Sequence, residues 1–192
     1  LQRPMEQPLS SYVQNAGIAA MSNTKAIKSE STYPCICPVL YRYPRFIENG
    51  RAAEICAQSM VTDLPSSFGD TYAALCGIDM ARKAAENCYR ESQLEARDVD
   101  IVELHDCFSI NELLLYEALG SCAEGAGLKM IDTMSWRENN QGGKWQRTDS
   151  GSPIVINPSG GLESKGHPIA ATGVAQCVEL HRQLTRGAGK RQ

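Results

Sequence analysis

An α/β domain is what the amino-acid sequence predicts, and three stretches carry the prediction. Ala74, Ile78, Ala81, Ala85, Cys88 and Tyr89 recur at helical spacing, with Arg82, Lys83, Glu86 and Arg90 on the opposite side. A short apolar run, Val99 to Leu104, follows a polar turn and reads as a buried strand. It stops at His105-Asp106-Cys107-Phe108, and a second helical pattern begins at once with Leu113, Leu114, Tyr116 and Leu119. Helix, strand, polar turn and helix in that order belong to an α/β layer architecture.

Composition sets the outer bounds. The 192 residues include 42% hydrophobic and 21% charged residues, enough for one domain with a true core. A formal net charge of −3 argues against a nucleic-acid partner. No run of roughly eighteen apolar residues is present, so no membrane span is expected and nothing indicates membrane contact. The start, LQRPMEQPLSSYVQ, lacks Met and the apolar core of a signal peptide, which reads as a processed chain or a fragment that is soluble and not secreted. Eight cysteines are scattered rather than spaced as a framework, and they read as reduced, small hydrophobes. Cys35 and Cys37 form a C-x-C with no second ligand pair at metal spacing, so no metal is expected.

Along the chain, residues 1–50 read as a loop or linker region broken by Pro4, Pro8, Pro34, Pro38 and Pro44, with one small helix around Ala16 to Ala26. Arg42, Arg45 and Arg51 either face a phosphate or sit on a solvated loop. A domain over 51–192 then begins, with a strand near 52–58 and a turn at Pro65. Helices are expected near 71–91, 109–119 and 168–185, and further strands near 99–104 and 153–157. Ser109 with Glu112 has the spacing of a capping box, and Gly120 can end that helix in the left-handed conformation. Gly125 to Gly151 is a long irregular passage whose Gly142-Gly143, Trp136 and Trp145 suit a folded loop. After the strand, Asn157-Pro158 makes a turn, Gly160-Gly161 permits close backbone approach, and Gly166-His167-Pro168 opens the last helix. Ala171, Val174, Ala175, Val178 and His181 are expected to form its buried stripe, with Arg182, Arg186, Lys190 and Arg191 near its C-terminal end.

The chemistry gathers on two turns. Of three histidines, His105 and His167 both lie where a strand or glycine turn leads into a helix. Ligands in open α/β sheets bind at that edge. An imidazole exchanges protons at neutral pH, and its N–H can stabilise an oxyanion. Cys107 precedes a helix N-terminus, where a thiolate is favoured. Asp106 either orients a histidine or simply faces the helix start. The set suits acyl transfer or proton transfer beside a carbonyl, and the two turns should bring His105, Cys107 and His167 to one shared opening.

These residues carry a resemblance. VELHDCFSINELLLYEALG followed by NPSGGLESKGHPIAATGVAQCVEL is similar to the C-terminal catalytic half of a thiolase. It resembles the sterol-carrier-protein branch, which has HDCF where other thiolases have NEAF; MVTDLPSSF and GGKW fit that branch too. The resemblance implies layered helices on a mixed sheet of five-stranded type, incomplete at its C-terminal end. It implies that His167 activates a nucleophilic cysteine and helps bind the thioester oxygen. His105 would replace the NEAF asparagine of an oxyanion site, and Cys107 would move the proton at the α carbon. Gly160, Gly161 and Gly166 would approach the substrate. The implied reaction is thiolysis of a 3-ketoacyl-CoA, or its reverse, with coenzyme A as substrate and no cofactor. A homodimer and the peroxisome, or alternatively the mitochondrion, follow from the same resemblance.

The family's nucleophilic cysteine belongs to an N-terminal half not seen in these residues, and CICP does not read as a strand feeding a helix. The chain therefore has the acid/base half of the site. The alternative is a thiolase-like protein without catalysis that binds acyl-CoA or a protein partner.

Overall fold

The structure, a computed structural model, describes residues 53–136, 143–146, 150–168 and 170–191, together with two strands at 18–21 and 39–42. Its centre is a mixed seven-stranded sheet. In chain order the strands are β1 (Ile18–Met21), β2 (Val39–Arg42), β3 (Glu54–Gln58), β4 (Ile101–Glu103), β5 (Ser135–Trp136), β6 (Gly143–Gln146) and β7 (Pro153–Ile156). The helices are α1 (Tyr72–Leu75), α2 (Ile78–Ser92), α3 (Ser109–Ala118), α4 (Gly127–Asp132), α5 (Gly161–Lys165) and α6 (Thr172–Leu184). Across the sheet the strands run β3-β2-β1-β4-β7-β6-β5.

Two parallel neighbours, β4 and β7, lie at its middle, with Ile101 opposite Val155 and Val102 opposite Ile156. Side chains of a strand alternate between faces, and β4 uses both. Val102 joins the larger core with Met80, Ala84 and Cys88 of α2 and Leu115 and Tyr116 of α3. Ile101 packs on the other side with Leu180 of α6. Leu104, Ile154 and Ile156 are almost fully buried. The sheet is thus covered on both faces, which parallel strands require. The Tyr89 hydroxyl ties α2 to the end of α3 by donating to the Leu119 carbonyl at 2.7 Å.

Several expectations are corrected. The stretch around Ala16 to Ala26 holds a strand, β1, because it completes the sheet beside β4. The seven strands exceed the five expected: β1 and β2 come from residues 1–50, and Gly125 to Gly151 supplies α4 and the β5–β6 hairpin. The 71–91 helix breaks at Gly77, whose φ of 79° ends α1 and opens α2. The last helix starts at Thr172, not Pro168, because Ala170 sits at φ 63° and interrupts helical geometry. Cys35, Cys37, Arg45 and Arg51 lie outside the described residues.

The largest reversal is the orientation of α6. Val174 is 65% and Val178 42% exposed, and Ala171 and Ala175 also face outward. His181 is likewise exposed. The buried face instead carries Thr172, Gln176, Glu179, Leu180 and Gln183. Periodicity locates a helix's faces, but here the polar face has partners waiting beneath it. Arg191 Nε and a terminal guanidinium nitrogen reach the Glu179 carboxylate at 3.0 and 2.8 Å. Gln183 Nε2 donates to Glu179 and to the Arg191 carbonyl. Burial alone would raise the Glu179 carboxyl, but these donors hold it below the usual carboxylate range.

Replacing Ile156 with Ala removes a fully buried side chain of β7 beside β4. The expected cost is about 3 kcal/mol of unfolding free energy, read from urea denaturation followed by circular dichroism.

Candidate functional site

Past their C-terminal ends, β4 and β7 continue into two loops held together by a ladder of hydrogen bonds. The backbone N–H of Asn157 donates to the Val102 carbonyl at 2.8 Å. One residue on, Leu104 N–H donates to Asn157 Oδ1 at 2.7 Å. Asn157 has a φ of 47°, a conformation that asparagine tolerates better than most residues. Glu103, with no exposed surface, accepts Ser159 N–H at 2.8 Å and the Ser159 hydroxyl at 2.7 Å. Lys165 lies 3.7 Å from the same carboxylate. Burial nevertheless raises the Glu103 carboxyl above its ordinary value.

Asp106 closes the ladder. Its Oδ1 accepts the backbone N–H of Leu162 at 2.8 Å, so the carboxylate caps the first turn of α5. Burial raises its pKa, and the backbone donors of α5 oppose that rise. Gly161, at φ 68°, lies so close that a methyl group built on it would overlap the carboxylate. The close approach expected of Gly160-Gly161 is therefore an approach to Asp106; Gly160 and Gly166 are exposed, with φ of 96° and 86°.

This ladder brings the two histidines together. Their ring centroids are 4.8 Å apart and nearly perpendicular, at 85°. His105 is 3% exposed, while His167 faces solvent. Both ring nitrogens of His105 are buried with no hydrogen-bond partner among the described residues. Leaving such a group unsatisfied costs roughly 1–3 kcal/mol, which marks the position as more than packing. Burial, with a smaller repulsion from His167, lowers the His105 pKa to about 4, so the ring is neutral near pH 7 and keeps one N–H to donate.

Cys107, two residues after His105, is half-buried, and its Sγ accepts from Asn111 Nδ2 at 3.1 Å. Burial and the neighbouring Asp106 carboxylate push its thiol above the ordinary value, outweighing the Asn111 and backbone donors. The direction is opposite to the activation expected from a helix N-terminus. A shielded neutral His105 supplies no positive charge, so desolvation decides.

The capping box is absent. Phe108 occupies the cap position, Ser109 Oγ donates to Glu163 Oε1 at 2.9 Å, and Glu112 accepts from the Tyr116 hydroxyl at 2.7 Å. Ser109 thus adds another tie between the two loops. Glu103, Asn157, Ser159, Thr172 and Gln176 were not singled out by sequence. Only the Asn-Pro turn carried a signal for any of them.

A cleft of about 660 Å³ opens beside α6, lined by Ser159, Lys165, Ala171, Val174, Val178 and Arg182 among others. The histidines do not line it, so the pair is reached from the surface at His167 rather than through this cleft. No group of acidic, cysteine or histidine residues suited to a metal occurs among the described residues. No described helix is long and apolar enough to cross a membrane.

Comparison with known proteins follows the same residues. Residues 71–192 match the family described as thiolase C-terminal domain-like. The chain is 54% identical to sterol carrier protein 2 of Bos taurus over 143 residues, which is 74% of this chain and 24% of that protein. It is 46% identical to non-specific lipid-transfer protein-like 2 of Caenorhabditis elegans over 154 residues, 80% of this chain and 34% of that one. An acetyl-CoA acetyltransferase of Methanothermobacter thermautotrophicus is 43% identical over 115 residues, covering 60% and 27%. The chain thus spans roughly a quarter to a third of these relatives over the matched regions.

Two expectations follow from the geometry. Gly161→Ala should destabilise by about 2 kcal/mol or more, from left-handed strain and displacement of Asp106, and should abolish the nuclear Overhauser contact between the His105 and His167 rings. The second concerns pH. Because the folded pKa of His105 is depressed to about 4, its contribution is full above the unfolded value near 6.5 and is lost as pH falls towards 4. Denaturation of wild type and His105→Asn should differ in slope over that window, by up to roughly 3 kcal/mol at its acid end.

Proposed function

This chain belongs to the thiolase family, and from that premise we propose that it carries the acid/base half of an acyl-CoA acyl-transfer site. The substrate class is a 3-ketoacyl-CoA with coenzyme A. The single observation that supports the reading best is the His105–His167 pair, with an unpartnered neutral imidazole buried against an exposed one and a thiol two residues away.

Each group suits one proton or charge. The N–H of neutral His105 donates to a thioester oxygen as negative charge develops there, and a dry setting strengthens that bond. His167, at the surface, takes the proton of an incoming thiol, leaving the electron pair on sulfur. Cys107 keeps its proton because its pKa is raised, which fits a general acid delivering hydrogen to the α carbon as the carbon–carbon bond breaks. In condensation the same sulfur works in reverse, as thiolate. The covalent step needs a nucleophilic cysteine that accepts the acyl group, and none of His105, Cys107 and His167 has that role.

The half-reaction that needs only these residues is α-proton exchange. The 192-residue chain in deuterium oxide should exchange the α protons of acetyl-CoA, faster as pH rises from neutral into the alkaline range because Cys107 must first ionise. Mass spectrometry should show exchange lost in Cys107→Ala and in His105→Ala. Thiolysis of a 3-ketoacyl-CoA by the chain alone should be negligible, with no acyl adduct on Cys35 or Cys37. Tight acyl-CoA binding with no exchange above the buffer rate would favour a carrier that has no acid/base chemistry.

A further inference from the structure

The proton that His167 can take depends on which of its nitrogens is already protonated, and the structure speaks to that through Thr172. His167 Nδ1 lies 2.8 Å from Thr172 Oγ1. The same hydroxyl is placed to donate to the Pro168 carbonyl at 3.2 Å. A carbonyl has no proton to give, and a threonine hydroxyl has one. Both contacts are hydrogen bonds only if the Thr172 proton goes to Pro168 and Nδ1–H supplies the other. We infer that Thr172 is a positioning residue that fixes His167 as the Nδ1–H tautomer and leaves Nε2 with the free lone pair.

Thr172 is equipped to hold this arrangement. It is 2% exposed and opens α6, so its rotamer is set by packing and by the helix. The loop from His167 to Thr172 is bent by Ala170 at φ 63°, which folds the ring back onto the residue five positions later. One turn along the same buried face, Gln176 Nε2 donates to the Leu104 carbonyl at 2.5 Å, next to His105. The polar stripe of α6 therefore reaches both histidine loops: Thr172 holds the ring of one and Gln176 the backbone before the other. This accounts for a helix that buries its amides and hydroxyl while its valines face out.

The consequence for chemistry rests on the acyl-transfer reading. With Nδ1–H engaged, Nε2 can accept a thiol proton: the S–H bond breaks, an N–H bond forms, and the electron pair remains on sulfur. The resulting imidazolium then has Nε2–H to donate to a thioester oxygen. Were Thr172 to donate to Nδ1 instead, Nε2 would already carry hydrogen and could not act as base.

Long-range proton–nitrogen correlation spectra of the uniformly ¹⁵N-labelled 192-residue chain, at a pH where the imidazoles are neutral, read the tautomer directly and need no substrate. Wild type and Thr172→Ser should show His167 with Nδ1 protonated. Thr172→Val should shift the tautomer ratio by roughly tenfold towards Nε2–H, the equilibrium worth of about one net hydrogen bond. Unchanged His105 and His181 signals in T172V would show that the fold is intact, so the shift is not a packing effect; if T172V does not fold, Thr172→Ser and wild type still decide. An Nε2–H tautomer in the wild type, or Nδ1–H persisting in folded T172V, would overturn the inference. Absent α-proton exchange with Nδ1–H present would overturn the acyl-transfer reading and leave this one standing.

Discussion

Everything in the site hangs on the ladder between residues 102–106 and 157–162. Parallel pairing of β4 with β7 sets the two chains side by side, and backbone hydrogen bonds alone would end where the strands end. Side chains carry the pairing further. Asn157 stands in for a strand partner at Leu104, Glu103 takes both donors of Ser159, and Asp106 takes the N-terminus of α5. Two side-chain acceptors within four residues, Glu103 and Asp106, and a third from Asn157 on the opposite loop thereby extend the register, and His105 lies between the first two. The histidine cannot move away from β7's loop without leaving buried donors or a buried carboxylate unmatched, and each such loss costs roughly 1–3 kcal/mol or more.

That arrangement explains why so much polarity is buried here. Glu103, Asp106, Gln176 and Glu179 are each at most 5% exposed, a costly inventory for a domain of this size. Each has partners, and the partners come from the opposite loop, from α5 or from the chain's last residues. Gln176 still leaves its Oε1 without a partner among the described residues, but only His105 has every polar atom of its side chain orphaned there. In a neighbourhood where the buried carboxylates are matched, an imidazole with neither nitrogen engaged is the ring left available to something from outside.

Much of this was legible in the sequence, and the limits have physical causes. The strand at 99–104, the helix at 109–119 and the positive-φ Gly120 were readable because local pattern and tertiary demand agree there. The meeting of His105 and His167 was readable from topology, since two turns at one sheet edge must face a common side. The face of α6 was misread because hydrophobic periodicity assumes an apolar neighbour, and here the neighbours are Glu103, Leu104 and Arg191 through their polar atoms. The capping box failed for a similar reason: Ser109 and Glu112 have the right spacing, but Glu163 and Tyr116 offer tertiary partners. Residues Gly127–Asp132 were lost in a stretch whose glycines read as loop. Glu103 and Ser159 gave no local signal at all, because their role exists only across 56 residues of chain.

The resting electrostatics of the site follow from the same burial. Desolvation lowers the His105 pKa and raises those of Cys107, Asp106 and Glu103, so these four shifts all run towards the neutral form. A site poised in this way stores little charge before substrate arrives. On the proposed acyl-transfer reading, charge would be created by proton movement, at the thioester oxygen and at the two sulfurs, beside the unpartnered ring of His105. Preorganised neutral donors act most strongly on charge that appears only during reaction, because they cost nothing to rearrange at that moment. On this reading the raised thiol pKa of Cys107 and the lowered imidazole pKa of His105 are two effects of one cause. That cause is desolvation at the end of β4, where the hydrogen-bond ladder holds Asp106 and the histidine and where the half-buried thiol follows directly.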